Sequence, residues 1–477
     1  MEIEVKKTIV SEECTIKKAM QIIDQNGLGV ILVCDKDNNF CGLATEGDLR
    51  REMLAGKGWE TQIKSVMKKD PVVVSEGTSR EDILRLMNTK IRHIPVLSLQ
   101  NKVVDLVSYA HFFYIPVAEP EMSGKELEYV TDCIATNWVS SVGKYVELFE
   151  QKFSNFCETK FGVATSSGTT ALHLALEVLG IGKEDEVIVP SLSFIATANA
   201  VAYTGAKPVF VDVSADTWTM DPNEVKKAIT LKTKAIIPVH LYGHPADMDS
   251  ICAIAKKYNL FVIEDAAEAH GAEYKGKKVG SLSDMACFSF FGNKIITTGE
   301  GGMITTDNLD FKEKAKMLRS HGMSKKKKYW HPCVGFNYRL TNIQAALGVA
   351  QLEKIDDVIK RKRHNAHLYN GFLKDVKGVT LPPEKEWAKN VFWMYSILIE
   401  NDYGTTRDAL MKKLIDCGID TRPVFYPIHS MPPYGEKKKL PETEKISSKG
   451  LSLPSAAMLA EQKIKRICEF IKEIKES

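Results

Sequence analysis

Hydrophobic spacing changes character near residue 115. Before it, a helical spacing over Thr15–Asn26 and an apolar run over Gly29–Cys34 lead to Gly42-Leu43-Ala44-Thr45-Glu46-Gly47-Asp48-Leu49-Arg50. The same order returns as Ser79–Asn88 (helical), His93–Leu97 (apolar) and Asp105-Leu106-Val107-Ser108-Tyr109-Ala110-His111, with Pro71–Val74 opening the second copy as a strand. Each copy is a short β-α-β unit, too small to bury a core alone, so the two are expected to pack together. Pro116 and Pro120 then disfavour helix and suit an extended join. Beyond it, apolar runs of strand length fall at Phe161–Thr165, Glu186–Pro190, Pro208–Val213, Ala235–Val239, Leu260–Glu264 and Met285–Phe291. Helical stretches separate them, which predicts an α/β domain with a mostly parallel sheet. Toward the C-terminus the pattern predicts one long helix over Gln344–Arg363 with Asn342 as its N-cap. Strands are expected at Phe392–Glu400 and Thr421–Phe425, and a terminal amphipathic helix at Glu461–Lys475. The expected division is 1–115, a large domain over 116–360 and a smaller α+β domain over 361–477.

Composition narrows the class without naming it. Sixty-four Lys+Arg against 61 Asp+Glu leave a net charge of +3, too balanced to argue for a nucleic-acid polymer. The basic run Lys325–Lys328 reads as a solvated loop. No apolar run reaches membrane-spanning length, and the acidic start Met1-Glu2-Ile3-Glu4 is not that of a signal peptide. Ten scattered cysteines without a C-x-x-C pair argue against zinc and disulfide frameworks, and suit free thiols in a reducing cytoplasm.

The chemistry gathers around Lys294. It stands in Phe288-Ser289-Phe290-Phe291-Gly292-Asn293-Lys294, with further glycines at 299, 301 and 302. Desolvation there disfavours the ammonium form, and a neutral amine attacks carbonyls, which makes Lys294 a candidate Schiff-base lysine. Alone, it is as easily a structural lysine that snorkels to water. Three other features shift the balance. Ser166-Ser167-Gly168-Thr169-Thr170 precedes an apolar helical pattern, suiting either an ordinary cap or a phosphate held on a helix start. Phe194 follows one strand. Asp265 ends another, and a buried carboxylate there needs a cationic partner such as a protonated pyridine nitrogen. The ordered set of helix start, ring, carboxylate and lysine matches a pyridoxal 5′-phosphate (PLP) site.

Two resemblances sharpen this. Residues 1–115 resemble a tandem pair of CBS modules, carried by Gly-Leu-Ala-Thr-Glu-Gly-Asp-Leu-Arg and Arg-His-Ile-Pro-Val. The likeness implies an adenine nucleotide contacted by Thr45 and Asp48. The second copy has Ser108 but His111 where Asp is expected, so the pair is read either as a nucleotide sensor or as a dimerisation element.

Residues 116–477 resemble the DegT/DnrJ/EryC1/StrS family of sugar aminotransferases, PLP enzymes of fold type I. The segments carrying the likeness are Ser-Gly-Thr-Thr-Ala-Leu, Pro-Ser-Leu-Ser-Phe-Ile-Ala-Thr-Ala-Asn-Ala, Glu-Asp-Ala-Ala-Glu-Ala-His-Gly-Ala and the lysine segment through Gly302. Gly-Phe-Asn-Tyr-Arg-Leu-Thr-Asn-Ile-Gln-Ala-Ala (335–346) and Arg-Pro-Val-Phe-Tyr-Pro-Ile-His (422–429) complete the set. The family implies that Gly168, Thr169 and Ser289 bind the phosphate, Phe194 stacks, Asp265 holds the ring nitrogen and Lys294 reacts. Asn337 would reach a neighbouring subunit's phosphate, making the unit a homodimer or larger. Glu268 stands where many relatives have Gln or His near the cofactor's phenolic oxygen. His321, His331, Tyr426 and His429 fall near the nucleotide sugar in such enzymes. The implied reaction moves an amino group from L-glutamate to a nucleotide-linked 4-keto-6-deoxysugar. The lysine segment and the stretch around His331 look most like the group acting on GDP-4-keto-6-deoxymannose, with UDP- and dTDP-sugar enzymes as the alternative. A 3-dehydratase of the same family would carry His in place of Lys294.

Overall fold

The computed structural model describes residues 5–79, 82–83, 86–87, 91–108 and 114–476. The chain forms two compact units, Met1–Ile115 with Lys413–Asp420, and Pro116–Lys412 with Thr421–Ser477.

In the first unit the repeat is visible in strand pairing. Ile9–Ser11 runs parallel to Val30–Cys34, which pairs antiparallel with Phe40–Thr45. Val74–Ser75, His93–Leu97 and Val103–Ser108 repeat that arrangement. Even the irregularity recurs, between Val33 and Cys34 in one copy and between Val96 and Leu97 in the other. The helix Ile16–Asn26 is capped by the Thr15 side chain, which accepts the Lys18 N–H, and is stopped by Gly27 in the left-handed region. Ile16, Ala19 and Ile23 face the core beside Ile31, Val33 and Ala44. The helical pattern read over Ser79–Asn88 lies partly, and His111 wholly, outside the described residues.

The second unit is built on a seven-stranded sheet. Its order is Phe161–Thr165, Gly302–Thr306, Met285–Ser289, Phe261–Asp265, Thr233–Ile236, Glu186–Pro190 and Lys207–Val211. Gly302–Thr306 runs antiparallel to both its neighbours, and the remaining pairs are parallel. Strands covered on both faces need apolar residues throughout, which is why these segments read as continuous rather than alternating runs. The helix Gly168–Leu179 lies in the core, its Leu172, Leu174 and Leu176 packed in one cluster with Val187, Ile263 and Ile304. A smaller antiparallel sheet joins Val379–Thr380, Tyr395–Ile399, Gly450–Leu453 and Arg422–Pro423.

The expected single helix over 344–363 is two helices, Asn342–Leu352 and Ile355–Leu373, parted at Glu353–Lys354. Lys354 is drawn aside by Glu126 at 2.7 Å and by the Glu121 carbonyl at 2.6 Å. The cap is Thr341 rather than Asn342. Thr341 Oγ1 accepts the Gln344 N–H, and the Gln344 side chain accepts the Thr341 N–H in return. Asn342 is spent elsewhere, accepting the Tyr145 N–H and donating to the Trp138 carbonyl. All ten cysteines are free. Among the described residues no helix is long and apolar enough to cross a membrane.

Candidate active site

The strand Phe261–Asp265 places Asp265 at its carboxyl end, 5% exposed. In open α/β sheets ligands bind beyond such ends. Thr197 Oγ1 donates to Asp265 Oδ2 at 2.7 Å, and the Ala267 N–H donates to Oδ1 at 3.2 Å. Burial pushes the carboxyl above its ordinary range, with those two donors and the Lys294 charge pulling back. Among the described residues no cation lies within ion-pairing distance of it. The site therefore holds a desolvated acceptor whose charged form a cationic ligand group would favour.

Lys294 follows the strand Met285–Ser289 and is nearly enclosed. Its Nζ stands 3.8 Å from Glu268 Oε1, the two side chains being 11% and 5% exposed. Burial lowers the lysine from its ordinary value, while Glu268 and Asp265 pull it back up. Burial pushes Glu268 up to about 7, against the Lys294 charge and the Tyr242 N–H, which reaches its Oε2 at 2.8 Å. Tyr242 makes that bond from the left-handed region, at φ +53°. Such a setting costs a non-glycine residue roughly 1–3 kcal/mol, and it persists where its surroundings over-determine it. The Tyr242 ring stacks on Phe425 at 5.3 Å, and its hydroxyl accepts the Phe425 N–H. Phe425 in turn meets Phe194 at 5.9 Å, leaving Phe194 57% exposed.

The helix start at Gly168 lies against the end of the lysine strand. A Cβ on Gly168 would fall 2.7 Å from Ser289 Cβ, so only glycine permits this approach. Ser167 caps the helix through a reciprocal box with Thr170. That leaves the N–H groups of Gly168 and Thr169 without a partner among the described residues, at the positive end of a twelve-residue helix. An anion is favoured there. A buried carboxylate lacking a cation, free helix-start donors beside Ser289 and an amine biased toward neutrality together fit PLP.

The remaining candidates divide. Asn337, His321 and His331 form a second, exposed group. Asn337 Oδ1 accepts from Arg339 Nε at 3.0 Å, Arg339 lies 3.3 Å from His321 Nε2, and His331 Nδ1 lies 2.9 Å from the His321 carbonyl. The Tyr338 carbonyl accepts the Ser166 N–H, so this segment abuts the helix start. Tyr426 is 58% exposed. His429 is not presented to open space: it is 2% exposed, with Nδ1 2.7 Å from Ser191 Oγ and its N–H donating to the same oxygen. In the first unit Thr45 and Asp48 line a cavity of about 1010 Å³, together with Lys68, Arg92 and Ser108. They also hold each other: Thr45 Oγ1 donates to Asp48 Oδ2 at 2.7 Å and Arg51 to Oδ1 at 2.5 Å. Burial would raise Asp48, yet these bonds outweigh it and keep the carboxyl below its ordinary range.

Sequence reasoning missed Thr197, Tyr242 and Trp393. Thr197 lies in the first turn of the helix Ala196–Tyr203, and no periodicity in that segment aims it at Asp265. Trp393 approaches Lys294 from 99 residues further along the chain, and nothing local announces it.

The family model described as the DegT/DnrJ/EryC1/StrS aminotransferase family matches residues 120–472, and the CBS domain model matches residues 4–55 and 63–115. A GDP-perosamine synthase of Caulobacter vibrioides is 49% identical over 76% of this chain and 98% of its own length. One from Escherichia coli O157:H7 is 48% identical over 76% and 98%. Among solved structures, a Streptococcus pneumoniae protein assigned as a sugar aminotransferase, in its PLP form, superposes with a TM-score of 0.72 at 27% identity, over 76% of this chain and 99% of its own. With that match spanning the whole second unit's site, and a CBS pair ahead of it, the chain belongs to the DegT/DnrJ/EryC1/StrS family of PLP-dependent aminotransferases.

Proposed function

We propose that this aminotransferase moves the amino group of L-glutamate to C4 of GDP-4-keto-6-deoxymannose, forming GDP-perosamine. The sugar is supported by the two GDP-perosamine synthases, aligned over nearly their full length. The observation that carries the chemistry is the enclosed Lys294 amine, 3.8 Å from Glu268. PLP supplies an electron sink for deprotonating an amino-acid carbon. In this reading Gly168, Thr169 and Ser289 bind its phosphate, Phe194 covers its ring and Asp265 faces its ring nitrogen. Lys294, whose burial lowers it from its ordinary value, moves the proton as general base. Glu268, 3.8 Å from that amine, acts on it as a neighbouring charge rather than through a hydrogen bond. Asn337 serves the phosphate site of a second copy, so the active unit is a homodimer. His321, His331 and Tyr426 meet the nucleotide sugar, and His429 supports the Tyr426 segment from below. In the first unit, the cavity beside Thr45 and Asp48 takes an adenine nucleotide.

Incubation with glutamate and GDP-, UDP- and dTDP-linked 4-keto-6-deoxysugars, read by product mass, tests the assignment. Amination of the GDP sugar is expected. Amination of only a UDP or dTDP sugar would move the substrate, and no amination of any would overturn the reading. Lys294→Ala should abolish turnover and the cofactor's visible absorbance. Adenosine monophosphate should raise the melting temperature of the full chain but not of Thr45→Ala/Asp48→Ala.

A further inference from the structure

One wall of the lysine pocket belongs to none of the segments that point to Lys294. Trp393 is 5% exposed, and Lys294 Nζ stands 3.8 Å from its ring centroid. Its Nε1–H donates to the carbonyl of Asn293, the residue just before the lysine, at 2.7 Å. The ring stacks with Tyr242 at 6.0 Å and 21°. Tyr242 holds one oxygen of Glu268 through its N–H, and the other oxygen of Glu268 faces the amine. Indole, tyrosine and carboxylate thus close a circuit of contacts around a single Nζ.

The two contacts of the indole do different work. A ring face beneath an ammonium stabilises the charged form, more so when water is excluded. A hydrogen bond to the Asn293 carbonyl fixes the peptide from which Lys294 departs, and so fixes the origin of a long, otherwise flexible side chain. An amine that must bond, release and bond again in one geometry gains from both.

We propose that Trp393 is a positioning residue for Lys294: its ring face seats the amine while it is unbonded, and its indole N–H holds the peptide that carries it. This rests on Lys294 as the reacting amine. The other titratable groups acting on that amine are Glu268, Asp265 and His270, and a change at Trp393 removes none of them.

The test uses the full chain with Trp393→Phe and Trp393→Leu. The cofactor is stripped, and its uptake is followed by visible absorbance as a function of pH, alongside steady-state kcat and KM. Loss of the ring face in Trp393→Leu should move the uptake midpoint down by roughly 0.4–1.5 pH units. Trp393→Phe keeps a ring and loses the N–H, so its midpoint should move less. Its uptake and kcat should slow by roughly three- to tenfold, with KM for both substrates unchanged. Should Trp393→Leu fail to fold by circular dichroism, the Phe variant carries the test. Uptake and kcat equal to the parent's in every folded variant would overturn the assignment. Lys294→Ala, run in parallel, separates the two readings. If it still takes up cofactor with the same absorbance and turns over, the role of Lys294 falls. If it is silent while the folded Trp393 variants match the parent, the role of Trp393 falls.

Discussion

Thr197→Val isolates the environment of Asp265. The threonine is 1% exposed, donates to Asp265 Oδ2 at 2.7 Å and lies 3.0 Å from Ser193 Oγ. Valine fills the same shape and removes the donor, leaving Asp265 the Ala267 N–H at 3.2 Å. A hydrogen bond to a charged group is worth about 1.5–3 kcal/mol, which corresponds to roughly 1–2 pKa units on the carboxyl that loses it. Burial already raises this carboxyl, and the Thr197 bond is the first of the effects that hold it down. Its loss must raise the carboxyl further, so more of Asp265 is protonated at any given acid pH. The acid limb of kcat should therefore shift to higher pH by about 1–2 units. The assay is kcat against pH at saturating substrates for the parent, Thr197→Val and Thr197→Ser. Serine keeps the donor and should track the parent. A valine variant that is folded, with an acid limb coincident with the parent's, would refute the argument.

Three further outcomes follow from the same geometry. Gly168→Ala sets a methyl 2.7 Å from Ser289 Cβ and 3.2 Å from its Cα. Overpacking of that kind costs about 1–3 kcal/mol of stability and displaces the helix start from Ser289, so PLP should bind more weakly, by about tenfold where about 1.4 kcal/mol of it falls on the bound state, read by fluorescence titration. An unchanged constant would remove the helix start from the phosphate seat. Glu268→Gln tests the raised carboxyl through stability. A carboxyl lifted from 4.5 to about 7 binds its proton more tightly folded than unfolded, so the parent loses stability as pH rises across that window. The variant lacks this loss, and its melting temperature without cofactor should gain on the parent's between those two values. Parallel profiles would count against the raised carboxyl. Ser191→Ala strips His429 of its buried partner and should cost about 1–3 kcal/mol of stability, with KM for the nucleotide sugar unchanged. A raised KM in a variant of parental melting temperature would place His429 on the substrate instead.

Lys294 and Asp265 were legible because each sits in a local pattern that has few other uses. One is a single amine among glycines after an apolar run, the other a carboxylate at the end of a buried strand. The parallel strands were legible for the same reason. Gly302–Thr306 was not, since a strand opened by glycine after Gly299 and Gly301 reads as turn until its neighbours are known. Thr341 lost to Asn342 as the expected cap because both residue types cap well; what decides is that Tyr145 and Trp138 claim the asparagine. The burial of His429 depends on Ser191, 238 residues away, and Trp393 meets a lysine 99 residues upstream. Contacts of that range leave no periodicity in either segment.

The antiparallel strand Gly302–Thr306 has a consequence for how the site comes into being. It is inserted between Phe161–Thr165 and Met285–Ser289, and at Gly302 the Ser167 carbonyl comes so close that a Cβ would sit 2.2 Å from it. The helix start and the end of the lysine strand touch directly at Gly168 and Ser289, yet the strand that pairs with both of their neighbouring strands is a piece of chain made after both. Contacts of such sequence separation form late, because loop closure must be achieved before they return any stability. Neither Gly168 nor Ser289 can serve a phosphate until the last strand has entered the sheet. Cofactor uptake by the refolding protein is thus a clock for the completion of the large domain rather than for its first collapse.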